Sequence, residues 1–200
     1  MKIVVIGAGG TIGREVVRAL ADRHEVVSVG HTSGDIRVDI ASKESIRRLY
    51  EAVAPFDAVV SAAGQLRFKP LESLTDDDFQ FCLSNKLMGQ INLVRLGVSY
   101  INDNGSFTLT SGILAKTPLP GNVTASMVDS ALEGFARTAA VEMPRGVRVN
   151  LVSPPWIWDE PPAGIKDPSI GMTAVACAAA YVECVESGRN GETLDARDFG

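Results

Sequence analysis

Hydrophobic residues along the chain alternate between two rhythms. Lys2 to Ile6 is a nearly unbroken apolar run and reads as a first strand. From Ile12 to Arg23 the apolar residues Ile12, Val16, Val17 and Leu20 recur at helical spacing. A second strand follows at Glu25 to Val29 and a short third at Asp35 to Val38. Ser42 opens a helix with Glu44 and Ser45 in its first turn, where an acid suits the exposed amides, and Pro55 ends it. Asp57 to Ser61 is a fourth strand. Thr75 is an N-cap with Asp78 three residues on, a capping box with a shortened acid, and its helix reaches Tyr100. Ser106 to Thr110 is a fifth strand and Thr124 to Glu142 an alanine-rich helix that ends before Pro144. Val147 to Val152 is a sixth strand, Val175 to Glu186 a helix, and Glu192 to Leu194 a short seventh strand after the Asn190-Gly191 turn.

Strands separated by helices imply βαβ units with right-handed crossovers. The expected fold is α/β: a doubly wound Rossmann domain over residues 1–200 with a mainly parallel sheet of about seven strands. No fixed repeat, low-complexity tail or dividing linker interrupts it. The least regular stretch is Ser153 to Pro168, where Pro154, Pro155, Pro161, Pro162 and Pro168 deny a continuous helix. It reads as a loop over the carboxyl edge of the sheet, with Trp156 and Trp158 either touching a substrate or anchoring the loop.

Composition narrows the function. At 200 residues, 46% of them hydrophobic and 22% charged, the chain supports one substantial core. The net charge of −5 offers no broad attraction to nucleic acid or anionic membrane. No apolar run approaches the roughly 20 residues of a membrane span. Gly7 breaks the opening apolar run before it resembles a signal peptide. Cys82, Cys177 and Cys184 form no paired framework and read as buried small residues, and a cytoplasmic location is expected. Neither His24 nor His31 has the neighbours of a metal site.

The strongest local signal is Gly7-Ala8-Gly9-Gly10-Thr11-Ile12-Gly13, between the first strand and first helix. Gly7 permits a tight turn, Gly10 close phosphate approach and Gly13 tight helix packing, while Thr11 and Ile12 begin the helix whose amides face a pyrophosphate. The plain alternative is a tight turn without a ligand. After the second strand come His31, Thr32 and Ser33, with no acid before Asp35. An acid there would bond ribose hydroxyls; these residues can instead donate to a 2′-phosphate, with Arg14 adding charge. NADP(H) is therefore favoured, NAD(H) being the alternative.

These residues, with Val38-Asp39-Ile40, Ser61-Ala62-Ala63-Gly64, Asn85-Lys86-Leu87-Met88-Gly89, Thr110-Ser111-Gly112 and Arg148-Val149-Asn150-Leu151-Val152-Ser153-Pro154, resemble the short-chain dehydrogenase/reductase family along almost the whole chain. The resemblance implies NAD(P) binding across the strand termini. Asp39 would meet the adenine with Ile40 beside it, Ala62, Ala63 and Gly64 would lie along the cofactor, and Pro154 and Ile157 would approach the nicotinamide. It makes Ser111 the catalytic serine and gives Asn85 a place in the active-site helix, holding a water or a carbonyl. It also implies a homodimer or homotetramer.

The resemblance fails at one motif. The family's tyrosine and lysine, four residues apart, fall on Ala125 and Asp129. Alanine cannot relay a proton. Asp129 can still bind the cofactor by accepting from its ribose hydroxyls, but a carboxylate raises rather than lowers the pKa of a neighbouring acid. Two readings remain: a reductase of a small carbonyl, enone or quinone-like acceptor working through Ser111, or a nucleotide-binding sensor without turnover.

Overall fold

The computed structural model describes residues 1–158 and 171–199. In chain order, β1 (Lys2–Ile6), α1 (Thr11–Ala21), β2 (Glu25–Gly30), β3 (Ile36–Arg37), α2 (Lys43–Val53) and β4 (Phe56–Ser61) form the first half. The second half comprises α3 (Asp76–Cys82), a π-helical turn (Leu83–Leu87), α4 (Met88–Gly97), β5 (Ile101–Thr110), α5 (Val123–Glu142), β6 (Arg148–Ser153), β7 (Trp156–Ile157), β8 (Gly171–Met172), α6 (Ala174–Glu186) and β9 (Thr193–Asp195). The main sheet has seven strands in the order β3-β2-β1-β4-β5-β6-β9, and every pairing is parallel. The order reverses at β1 and β4, so the crevice of a doubly wound sheet opens there at the carboxyl ends of the strands.

Both faces of the sheet are covered, which is why its central strands are apolar throughout rather than alternating. One layer packs Ile46, Leu49 and Tyr50 of α2, Leu93 of α4, and Val128 and Leu132 of α5 against Val4, Val59 and Phe107. The other packs Val16 and Leu20 of α1 and Tyr181 and Cys184 of α6 against Ile3, Val5 and Val60. Burial pushes the Cys177 and Cys184 thiols up to about 12, so both are inert apolar packing groups. No described helix is long and apolar enough to cross a membrane.

Local signals placed most element starts. The Ser42 hydroxyl accepts from the Ser45 amide at 3.2 Å. The box at Thr75 closes despite the shorter acid: the Asp78 amide donates to Thr75 Oγ1 at 3.3 Å and the Thr75 amide to Asp78 Oδ2 at 3.0 Å.

Three expectations change. The helix expected to run from Thr75 to Tyr100 is divided by the π-helical turn, whose extra residue rotates α4 relative to α3, a device common at functional sites. Strand β5 starts at Ile101 rather than Ser106, because the polar run Asn102-Asp103-Asn104 is taken up in a bulge against β4. Finally, the proline-rich segment is not all loop: its Trp156–Ile157 forms β7, which pairs in parallel with β8 beyond the segment as a small second sheet. Pro161, Pro162 and Pro168 lie outside the described residues.

Candidate functional site

The glycine turn is built by its missing side chains. Gly7 sits at φ +85°, and a Cβ there would fall 2.5 Å from the Ala62 carbonyl oxygen. A Cβ on Gly13 would land on the Gly7 carbonyl, so α1 rests directly on the turn. Gly10 is the N-cap and offers no side-chain cap, which leaves the amides of the first helical turn at Thr11 and Ile12 facing outward for an anion.

From this turn a groove of 190 Å³ runs along the strand ends, lined by Gly7, His31, Asp39, Ile40, Ala63, Gly64 and Asn85 among others. Asp39 Oδ1 also accepts from the Ala41 amide at 2.9 Å, so it shapes its own turn. A neighbouring recess of 280 Å³ brings together Gly9, Arg14, Arg18, Ser28 and Ser33. Arg14 is already engaged there by the buried Glu15 at 3.2 Å. Asp35, the first acid after the second strand, turns back so that Oδ2 accepts from the Ser28 amide at 2.9 Å. His31 and Thr32 are exposed, and Thr32 lines neither recess.

A second pocket, of 150 Å³, lies under the small sheet. It is lined by Lys86, Ser111, Gly112, Ala125, Asp129, Pro154 and Trp156, with Leu66, Ile113, Leu114 and Pro155 as apolar walls. Ala125 is fully buried, and its short side chain leaves this pocket open on the α5 side. Ser111 Oγ donates to the Val152 carbonyl at 3.4 Å, a long bond that leaves the hydroxyl beside the pocket. Trp156 lines the pocket with its indole Nε1 buried and unpartnered, whereas Trp158 packs its ring onto Gly171 and anchors β7 to β8. Ile157 packs into the core and lines neither pocket.

The end of β5, which presents Ser111, is fastened from both layers. Gln90 of α4 donates to the Thr110 carbonyl at 2.9 Å and accepts from its amide at 2.8 Å. The Thr110 hydroxyl donates to the Ser61 carbonyl at 2.6 Å and receives the Tyr181 hydroxyl of α6 at 2.8 Å.

The structure redirects one catalytic expectation. Asn85 does not reach the second pocket. Its Oδ1 accepts from the Gln65 amide at 2.7 Å, and the residue lines the groove along the strand ends. The next residue, Lys86, is the one that enters the pocket, only 8% exposed. Gly64 makes that entry possible: a Cβ at this position, φ +125°, would collide with the Lys86 side chain. Across the pocket, just beyond β5, a Cβ on Gly112 would meet Oδ2 of Asp129, which lies on α5, at 2.8 Å. Two glycines thus make room for two charged groups. Sequence reasoning alone misses Lys86, although Cys82, Lys86, Gly89 and Leu93 share one helical face and a lysine in such a stripe is the signal.

Burial governs both groups. It lowers the Lys86 ammonium below the ordinary lysine value, with Asp129 opposing the fall. It raises the Asp129 carboxyl to about 6, against the pull of Lys86 and with the help of Glu133 one turn on. The hydroxyl at the start of α5 does not serve the pocket: Thr124 Oγ1 donates to the Arg67 carbonyl at 2.5 Å. Lys116 is exposed and lines a separate small recess with Asp195 and Arg197. Among the described residues, no cluster of three His, Cys, Asp or Glu could hold a metal.

The profile of the enoyl-(acyl carrier protein) reductase family matches residues 1–189. The hydroxynaphthalene reductase arp2 of Aspergillus fumigatus is 29% identical over 153 residues, which cover 74% of this chain and 54% of that protein. The chain therefore spans about half the length of that curated relative. The crystal structure of protein lin1944 from Listeria innocua superposes with a TM-score of 0.92 at 42% identity, covering 98% of both chains. A small-chain dehydrogenase solved in complex with NADPH superposes at 0.85 with 21% identity, over 98% of this chain and 97% of that one, and shares the fold.

Proposed function

We infer from one premise, that the chain belongs to the short-chain dehydrogenase/reductase family, that it is a nicotinamide-dependent reductase of a small carbonyl, enone or quinone-like acceptor, with NADPH as the favoured reductant. The observation that carries this reading is the adjacency of two cavities. Gly64 borders the nucleotide groove, and the Lys86 side chain that packs against it lines the Ser111 pocket.

The residues present fit a dinucleotide. Glycines at 7, 10 and 13 keep the turn free of side chains, and the uncapped first turn of α1 suits a pyrophosphate. Gly7, Asp39, Ala63 and Gly64 would hold the adenosine and ribose portions along the groove. Arg14 and Ser33 meet in the recess where a 2′-phosphate would be read. When bound, the reduced nicotinamide supplies hydride. Ser111 polarises the acceptor oxygen by donating a hydrogen bond. Trp156, Leu66 and Pro154 exclude water and select a small, flat, apolar substrate. The name of the Aspergillus relative, a hydroxynaphthalene reductase, agrees with that class.

A second reading rests on Ala125 at the family's tyrosine place and on the Ser111 bond to Val152: the chain binds nucleotide without turning it over. Purified protein titrated with NADPH and then offered carbonyls, enones and quinones separates the two. Acceptor-dependent loss of NADPH absorbance supports the reductase. Tight NADPH binding with no turnover across the panel establishes the sensor instead.

A further inference from the structure

We propose that Lys86 and Asp129 form a relocated proton-delivery couple, in which Asp129 gives the proton to the reduced acceptor and Lys86 holds the resulting carboxylate. This inference rests on the reductase reading and assigns its proton source.

The geometry is the first support. The cation arrives from the π-helical turn and the acid from α5, so two elements meet across one pocket. Lys86 has no side-chain hydrogen bond or ion pair among the described residues, and Asp129 Oδ1 is buried without a partner. An unpartnered carboxyl oxygen at 3% exposure carries a desolvation cost that a structural acid would relieve by bonding. Here it is kept unbonded beside an open pocket. Gly64 and Gly112 are both needed to seat the two side chains, one at positive φ.

Charge is the second support. Lys86 and Glu133 are the charged groups that act on Asp129 among the described residues. Glu133 is itself buried, with Oε1 unpartnered and Oε2 3.8 Å from the exposed Arg137. The segments at 111–114 and 154–156 bring a hydroxyl and apolar walls to the pocket but no charge. Helix α3, which also packs on α5, keeps its acids at its own start, where Asp78 is tied to Lys69 at 2.8 Å. With its carboxyl near 6, Asp129 retains its proton in on the order of a tenth of molecules at pH 7, enough for a general acid that is refilled between turnovers.

The step balances. Hydride from a reduced nicotinamide forms the new C–H bond, and the acceptor's π pair moves onto oxygen. The Asp129 O–H bond breaks as the new O–H bond forms, either directly or through Ser111. The carboxylate left behind is stabilised by the charge of the Lys86 ammonium, which lines the same pocket, and takes its next proton from water. The acceptor is reduced by two electrons and the nicotinamide oxidised by two.

The test uses the whole chain in two measurements. Carbon-13 titration of the Asp129 carboxyl, without coenzyme, should give a midpoint near 6 that rises in Lys86→Met and falls in Glu133→Gln. A midpoint in the ordinary carboxylate range overturns the couple. Single-turnover hydride transfer should then slow with rising pH in the wild type. Asp129→Asn should lose at least tenfold in rate and flatten the profile, Asp129→Glu should restore the slope, and NADPH affinity should stay within about twofold throughout. An unchanged rate and slope in Asp129→Asn overturns the couple while leaving the reductase reading intact. No turnover by the wild type with any acceptor overturns the reductase reading, and the delivery role falls with it.

Discussion

Replacing Asp129 by asparagine should stabilise the fold, and more so at high pH. The carboxyl is 3% exposed, and burial raises it from 3.8 to about 6 in the folded chain, net of the opposing pull of Lys86. The folded state therefore holds this proton more tightly than the unfolded state. Well below pH 4 both states are protonated and ionisation costs nothing. As pH climbs from 4 to 6 the unfolded chain ionises first, so stability falls. Above 6 the loss levels off at about 3 kcal/mol, at roughly 1.4 kcal/mol per pH unit of displacement. Asparagine carries no charge at any pH and removes this cost. The gain at pH 5 is about half the roughly 3 kcal/mol reached at pH 8, less a fixed penalty for the buried amide that cancels between the two. For a chain of this size the pH 8 gain amounts to a Tm rise of roughly 6–12 °C. Thermal melts of wild type and variant at both pH values measure the difference. An equal shift at pH 5 and pH 8, or a lower Tm at pH 8, would refute the argument that burial sets the state of Asp129.

Gly13→Ala should destroy the close rest of α1 on the glycine turn, because the added Cβ meets the Gly7 carbonyl; calorimetry should show NADPH and NADH binding lost together. Wild-type titrations with both coenzymes should favour NADPH, and equal or tighter NADH binding would remove the role given to Arg14 and Ser33. Thr75→Ala should cost about 1 kcal/mol in urea unfolding through loss of the cap, with coenzyme affinity unchanged. Tyr181→Phe leaves Thr110 Oγ1 without its donor and should cost about 1 kcal/mol.

The sheet was legible because each strand is a short apolar run and each helix carries its own start signal. Ser42 and Thr75 declare themselves through hydroxyls at the right offset, and the glycine turn through three positions that reject side chains. What escaped is non-local. The π-helical turn has no sequence rhythm of its own, so the rotation that separates Asn85 from Lys86 is invisible until α4 is seated on the sheet. The polar run at Asn102 to Asn104 is left out of the expected strand because its partner, Asp57, lies 45 residues from Asn102. Asp129 is identified by its register, and Lys86 is marked in sequence only as a lysine within an apolar helical stripe; that the two share a pocket shows only once Gly64 and Gly112 are placed beside them.

The double fastening of Thr110 bears on how the site can move. One rung at the tip of β5 is supplied by the Gln90 side chain rather than by a strand, so the Thr110 amide can exchange with solvent only when α4 lifts. The hydroxyl of the same residue answers to α6 through Tyr181. The strand tip is thus a pivot pinned to both helical layers, and neither layer can tilt without the other or without breaking a buried bond. Any closure over the Ser111 pocket has to bend the chain beyond this pivot, at Gly112, where the backbone is extended and carries no side chain.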